Sequence, residues 1–222
     1  MTIFEFPPLE TADEYGLLAV GGDLEVSSLL LAYRSGIFPW PIDNSILAWF
    51  SPHERAVLFF DEFHISRSLK REIRKNNYTV TFNKMFPQVI SLCAKSRKGL
   101  GRKTKNTTWI TEPMISAFVE LHNKGFAYSV ECLSGEELVG GVYGVKIGGM
   151  FSAESMFYLE PNASKVALVY LVNYLTEHGV SWLDCQVINP FTRSIGVREI
   201  SREDYLVLLA RAVTQDPMVP LL

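Results

Sequence analysis

The stretch from Leu138 to Gln186 does most to fix what this chain can fold into. Leu138-Val-Gly-Gly-Val-Tyr-Gly-Val145 and Met150-Phe-Ser-Ala-Glu-Ser-Met-Phe-Tyr158 are β-type runs joined through Lys146-Ile-Gly-Gly149, which predicts a hairpin. After Pro161-Asn162, apolar residues recur at Ala163, Val166, Ala167, Tyr170, Leu171, Tyr174 and Leu175, the spacing of a helix. Asn162 is its expected N-cap and Gly179 its stop. Ser181-Trp-Leu-Asp-Cys-Gln186 then reads as another strand. A helix between two strands of one sheet favours a right-handed parallel crossover.

Side-chain parity gives this unit a chemical interest. Alternation puts Ser152, Glu154 and Met156 on one face of their strand, and Trp182, Asp184 and Gln186 on one face of theirs. If the strands are neighbours, Glu154, Asp184 and Gln186 converge on one crevice. Carboxylates in apolar strands are costly to bury unpaired, so they need partners or a cationic ligand. A buried polar network meets that need as well as a binding site does.

At 222 residues the chain has ample material for a core, and no apolar run reaches the roughly 18 residues of a membrane span. Net charge is −3, so attraction to an anionic partner must be local rather than global. The odd, widely spaced Cys93, Cys132 and Cys185 give neither a disulfide framework nor a metal site and suit a reducing cytoplasm. No signal peptide is visible at the start, and a cytoplasmic location is expected. His53, His64, His122 and His178 are scattered, outside any triad context.

Residues 1–60, rich in Pro and Gly, predict a small N-terminal domain, with residues 61–222 as the larger one. Asp23 or Ser27 is expected to cap a short helix ending near Gly36. Phe38, Trp40, Trp49 and Phe50 read mostly as core, although a Trp in a loop can also stack on a base. A helix from Ser66 to Asn76 carries Leu69 and Ile73 on one side and Arg67, Lys70, Arg71, Arg74 and Lys75 on the other. A solvated face is the plainer reading of one basic helix. A second basic run, Lys95 to Lys105, raises the case for an anionic partner. Thr111 and Ser201 are expected to cap two further helices.

These residues carry a resemblance to a known family. Gly16-Leu-Leu-Ala-Val-Gly-Gly-Asp-Leu24, Tyr33-Arg-x-Gly-Ile-Phe-Pro-Trp40, Trp49-Phe-Ser-Pro52, Arg55-Ala-Val-Leu58 and His64-Ile-Ser-Arg-Ser68 open an ordered series. Thr108-Trp-Ile110, Ser129-Val-Glu131, Leu138-Val-Gly-Gly141, Tyr143-Gly-Val145, Glu154-Ser-Met-Phe157, Asn162-Ala-Ser-Lys165 and Asp184-Cys-Gln186 continue it. Nearly the whole chain thereby resembles the leucyl/phenylalanyl-tRNA–protein transferase family. Departures include Tyr128 and Phe191 where that family usually has His, and the longer basic loop.

The resemblance implies an α+β protein, a small N-terminal domain followed by a larger N-acetyltransferase-like (GNAT) α/β domain. It implies transfer of Leu or Phe from aminoacyl-tRNA to proteins with an N-terminal Arg or Lys, marking them for N-degron-dependent proteolysis. An aminoacyl ester is already activated, so no metal or other cofactor is expected. The pocket for the aminoacyl-adenosine end is expected from Trp49, Trp109, Val142, Met156, Leu171, Leu175 and Leu183, with the two indoles stacking on the adenosine. The basic helix is expected to meet tRNA phosphates. Gln186 is expected to orient the attacking amine, Asp184 to polarise that contact and receive the proton, and Glu154 to recognise the cationic acceptor side chain. A CoA-dependent N-acetyltransferase lacks support because Tyr158-Leu-Glu-Pro-Asn-Ala-Ser-Lys165 offers no Gly-rich pyrophosphate turn. A peptidoglycan-bridge aminoacyl transferase and a silent tRNA-binding module are the other rivals.

Overall fold

A computed structural model describes residues 3–42, 46–96 and 109–215. In chain order these form β1 (Leu17–Val20), α1 (Val26–Arg34), β2 (Phe38–Pro39), β3 (Ala48–Phe50) and β4 (Glu54–Phe59). Next come α2 (Arg67–Lys75), β5 (Thr79–Phe82), α3 (Phe86–Ser96), α4 (Glu112–Asn123), β6 (Ala127–Ser134), β7 (Glu137–Ile147) and β8 (Met150–Tyr158). The chain continues with α5 (Ala163–Glu177), β9 (Trp182–Gln186), α6 (Pro190–Ser194), β10 (Arg198–Ser201) and α7 (Arg202–Val213). Most of the basic run after Lys95 lies outside the described residues.

Strands β1, β3 and β2 make a small sheet, while the larger one has the order β10-β4-β9-β8-β7-β6-β5. Every neighbouring pair in the larger sheet is antiparallel except β8 and β9, which run parallel and share a single paired position, Ser152 with Asp184. The expected hairpin, crossover helix and strand are thus β7, β8, α5 and β9. An antiparallel sheet with one parallel, barely paired junction is an N-acetyltransferase-like arrangement. Strand β4, expected in the small domain, belongs to the larger sheet.

Two apolar cores cover the two faces of that sheet. One holds Leu29 and Tyr33 of α1, Phe86 of α3, Phe118 of α4 and Tyr205 of α7 against Val57, Tyr143, Phe157 and Trp182. The other packs Leu69 of α2 and the length of α5 against Leu58, Val142, Phe151 and Leu183. Helix α5 comes so close to β7 that a Cβ on Gly140 would lie 2.6 Å from Ala163 Cβ, which explains a glycine inside a strand.

Local signals are mostly where the sequence puts them. Ser66 Oγ accepts from Leu69 N at the start of α2, and Ser201 Oγ accepts from Asp204 N at the start of α7. Asn162 departs from expectation: it sits in the left-handed region (φ 69°) and its side chain makes no capping bond. Thr111 likewise caps α4 by position without a side-chain bond. Asp23 and Ser27 do not occupy the cap of α1; Glu25 does, and Asp23 instead accepts from Glu25 N and Ser28 Oγ. Among the described residues, no helix is long and apolar enough to cross a membrane.

Candidate active site

The junction of β8 and β9 is shaped by two irregularities. Tyr143 pairs with Ser155 and Gly144 with Ala153, so Glu154 is an extra residue in β8. Val57 pairs with Asp184 and Ala56 with Gln186, so Cys185 is an extra residue in β9. Such bulges bend a strand and re-aim its side chains. Gln186 completes the turn with a left-handed backbone, φ 55°.

This corrects the parity reading. Ser152 pairs with Val145, which faces the first core, whereas Met156 pairs with Val142 in the second. Ser152 and Met156 therefore stand on opposite faces, and the bulge lets Ala153, Glu154, Ser155 and Met156 all reach one cavity. That cavity, of about 240 Å³, opens between the separating strands. Leu58, Val142, Met156, Leu168 and Leu183 give it an apolar wall, Trp40 and Trp109 an aromatic one, and Glu154 and Gln186 an acidic and an amide group.

The polar residues form one network. Gln186 Nε2 donates to Ser152 Oγ at 2.7 Å and to Glu154 Oε1 at 3.0 Å. Ser152 Oγ in turn lies 3.0 Å from Glu154 Oε1 and 3.4 Å from Asp184 Oδ2. Both protons of the Gln186 amide are thus spent inward, leaving Oε1 as its open acceptor. Burial pushes the Glu154 carboxyl up to about 7, only partly offset by hydrogen bonding from Tyr33, then from Ser152, and by the nearby Arg55 cation. The Tyr33 hydroxyl is buried beside it, and burial, then the charge of Glu154 and the hydrogen bond to it, raise the Tyr33 pKa well above its usual value.

Asp184 stands behind this pair rather than in the cavity wall. It is fully buried, and Arg55 Nε and Nη2 donate to its two oxygens at 2.8 and 2.6 Å. Tyr205 Oη donates to Oδ2 at 3.0 Å, and Gln186 N donates to Oδ1 at 2.9 Å. The Arg55 guanidinium lies between the rings of Phe38 and Tyr205, at 4.6 and 4.5 Å, and its Nη1 reaches Gly36 O at 3.0 Å. Burial alone would lower the Arg55 pKa; Asp184 more than offsets this and holds it above its usual value.

The expected pocket residues divide. Trp109, Val142, Met156 and Leu183 line the cavity, with Glu154 and Gln186. Trp49 does not: it is buried, packs edge-on against Phe6 and donates its indole N–H to Gly21 O at 2.9 Å. Trp40 takes its place, exposed at the cavity and 5.4 Å from Trp109 between ring centres, with planes 30° apart. Leu171 and Leu175 are also buried off the cavity, in the core under α5, where Leu168 supplies that helix's contact with the wall. A helix turns only one narrow face toward any cavity, and its apolar stripe does not reveal which residue is on it. Arg67, Lys70, Arg71, Arg74 and Lys75 are all exposed on α2, away from the cavity lining.

Sequence reasoning assigned no role to Arg55, Ser152, Tyr205 or Leu168, and read Trp40 mostly as core, with base stacking as the alternative. A signal existed for one: Arg55 opens the apolar run Arg55-Ala-Val-Leu-Phe59, the same anomaly that drew attention to Asp184. Cys185 touches the cavity, but burial holds its thiol well above the range in which it would be a nucleophile.

Comparison with known proteins decides the family. Residues 57–210 match the leucyl/phenylalanyl-tRNA protein transferase model, and residues 22–53 match the model of that family's N-terminal domain. The leucyl/phenylalanyl-tRNA–protein transferase of Syntrophobacter fumaroxidans is 49% identical over 210 residues, 95% of this chain and 88% of its own. That of Flavobacterium johnsoniae is 47% identical over 204 residues, 92% of this chain and 94% of its own. The chain belongs to the leucyl/phenylalanyl-tRNA–protein transferase family. It is therefore a transferase enzyme, one that carries aminoacyl groups from tRNA to protein. Among solved structures, FemX superposes with a TM-score of 0.49 at 12% identity, over 68% of this chain and 60% of its own.

Proposed function

We propose that this enzyme transfers leucine or phenylalanine from aminoacyl-tRNA to the α-amine of proteins that begin with Arg or Lys. The products would enter N-degron-dependent proteolysis in the cytoplasm. The observation that carries the reading is the Glu154–Gln186 pair set into a mostly apolar wall. An apolar cavity of about 150 Å³ already admits benzene, so one of about 240 Å³ has room for a leucyl or phenylalanyl side chain. Val142, Met156, Leu168 and Leu183 would hold that side chain, and Trp40 and Trp109 would stack on the terminal adenosine. The exposed face of α2 would meet phosphates farther along the tRNA.

The reaction needs positioning and a proton acceptor. The acceptor's amine attacks the ester carbonyl, a new amide bond forms, and the tRNA hydroxyl leaves. Gln186 Oε1 is the open acceptor that would orient the amine. Glu154, with a pKa near working pH, suits removal of its proton and delivery to the leaving oxygen. When ionised, it would also favour a cationic N-terminal residue. Asp184, saturated by Arg55, Tyr205 and the Gln186 backbone, positions Gln186 and has no capacity left for that proton. Preorganisation of this kind supplies several kcal/mol of barrier reduction in enzymes generally.

The test is transfer of labelled leucine and phenylalanine, from purified charged tRNA, to peptides beginning with Arg, Lys or Ala, without CoA. Label on the Arg and Lys peptides alone is the expected result. Equal labelling of the Ala peptide would remove the acceptor assignment, and dependence on CoA would remove the mechanism.

A further inference from the structure

Lys165 lies in the first turn of α5, one turn before Leu168, with its Nζ 5.8 Å from the centre of the Phe191 ring. Phe191 and Leu168 both line the cavity, so this half-buried lysine stands at the cavity's rim. Among the described residues no carboxylate forms an ion pair with it. The helix does not explain the charge either. A cation in a first turn meets the positive end of the helix dipole, and this turn carries no acidic residue to offset it.

Its surroundings fit one ligand chemistry. Aromatic faces beside a cation are the combination that holds single-stranded nucleic acid, with bases on the rings and backbone on the charge. Trp40 and Trp109 supply one aromatic surface in the cavity wall, and Phe191 supplies another, beneath Lys165. Tyr78 Oη donates to Glu160 Oε2 at 3.0 Å, joining the segment after α2 to the loop before α5. Helices α2 and α5 cover the same face of the sheet, so the basic helix and Lys165 lie on one side of the molecule.

We propose that Lys165, with Phe191 beneath it, binds the phosphodiester adjoining the terminal nucleoside of the donor's single-stranded 3′ end. The assignment rests on the transfer reading above and adds to it a phosphate contact separate from the basic helix.

Two synthetic donors isolate the contact: 3′-leucyl-adenosine, which has no phosphodiester, and leucyl-cytidylyl-adenosine, which has one. A charge-assisted contact predicts that the parent prefers the dinucleotide donor by roughly tenfold in kcat/KM. Lys165→Met should reduce that preference to within about twofold of unity, while Lys165→Arg keeps most of it. The log–log salt dependence of dinucleotide binding should become shallower by about 0.7, one single-strand contact. A Lys165→Met protein that keeps the parent's preference overturns the proposal, as does a parent with no preference. If the parent uses neither donor nor charged tRNA, the transfer reading has failed. Calorimetric binding of amide-linked, unreactive forms of the two donors then still decides for or against Lys165.

Discussion

Glu154 and Asp184 are carboxylates on neighbouring strands, β8 and β9, that the fold treats in opposite ways. Asp184 is paired bidentately with a buried guanidinium, whereas Glu154 is left with an amide and a hydroxyl beside a cavity. The consequence for Glu154 is a folded-state pKa of about 7 against an ordinary 4.5, caused chiefly by burial. Between those values the folded chain binds a proton that the unfolded chain has released. Stability from this group is therefore fully present below about pH 4.5 and is lost as pH rises through about 7. Glu154→Gln should remove that slope, gaining on the parent by about 1–3 kcal/mol between pH 5 and pH 8 in urea denaturation. A stability difference that stays flat across the window would mean that Glu154 titrates normally. The same variant should lose the rise of transfer rate through neutral pH. Both carboxylates were legible as anomalies in apolar strands, but their different fates were not. The guanidinium that makes the difference comes from β4, far away in sequence.

Elements were read well where periodicity alone defines them and poorly where a single extra residue decides. The hairpin, the crossover helix and the last strand lie where hydrophobic spacing puts them. Nothing in Met150–Tyr158 announces that Glu154 is an extra residue, since the run holds no glycine or proline inside the strand. Alternation therefore carried Met156 to the wrong face, and only the pairing partners Val142 and Val145 reveal it. Trp40 and Trp49 illustrate the same limit: both lie in short N-terminal segments, and only packing separates an exposed indole from a core one. Helix α2 is simpler, with Leu69 buried and its basic residues exposed on the other side. Of these, Lys75 already meets Glu72 at 2.9 Å, an exposed pair of small value that leaves the others more available. Replacing Lys70, Arg71 and Arg74 by Glu should weaken tRNA binding and flatten its log–log salt dependence by about 2–3, as expected for three lost duplex phosphate contacts. Titrations of uncharged tRNA at several salt concentrations measure this. A slope equal to the parent's, in a protein with unchanged helicity, would leave α2 without a phosphate contact.

At the scale of the molecule, the division at residue 60 suggested by composition does not separate two cores. Leu18, Leu29, Tyr33, Phe38 and Trp49 from the first part share one buried cluster with Tyr143, Phe157, Trp182 and Tyr205 from the rest. Arg55 adds a polar tie, reaching Gly36 O on one side and Asp184 on the other. The small sheet and α1 thus act as a lid on one face of the large sheet, and the cavity takes Phe38, Pro39 and Trp40 from that lid. A chain beginning at Glu54 would expose this apolar face and leave Arg55 without the carbonyl and the Phe38 ring that help hold it. Partial loss of support around a buried ion pair is costly, about 3–5 kcal/mol when one partner is removed outright. The full chain should therefore unfold in a single cooperative step, and residues 54–222 should not fold alone. Guanidinium titration followed in parallel by tryptophan fluorescence and far-ultraviolet circular dichroism gives the decision. Trp40 and Trp49 report on the lid and Trp182 on the large sheet, whereas dichroism reports on the helices throughout. Coincident midpoints are expected. Two separated transitions, or a natively folded 54–222 fragment, would show that the lid is a domain of its own and that the cavity is built at an interface between independently stable parts.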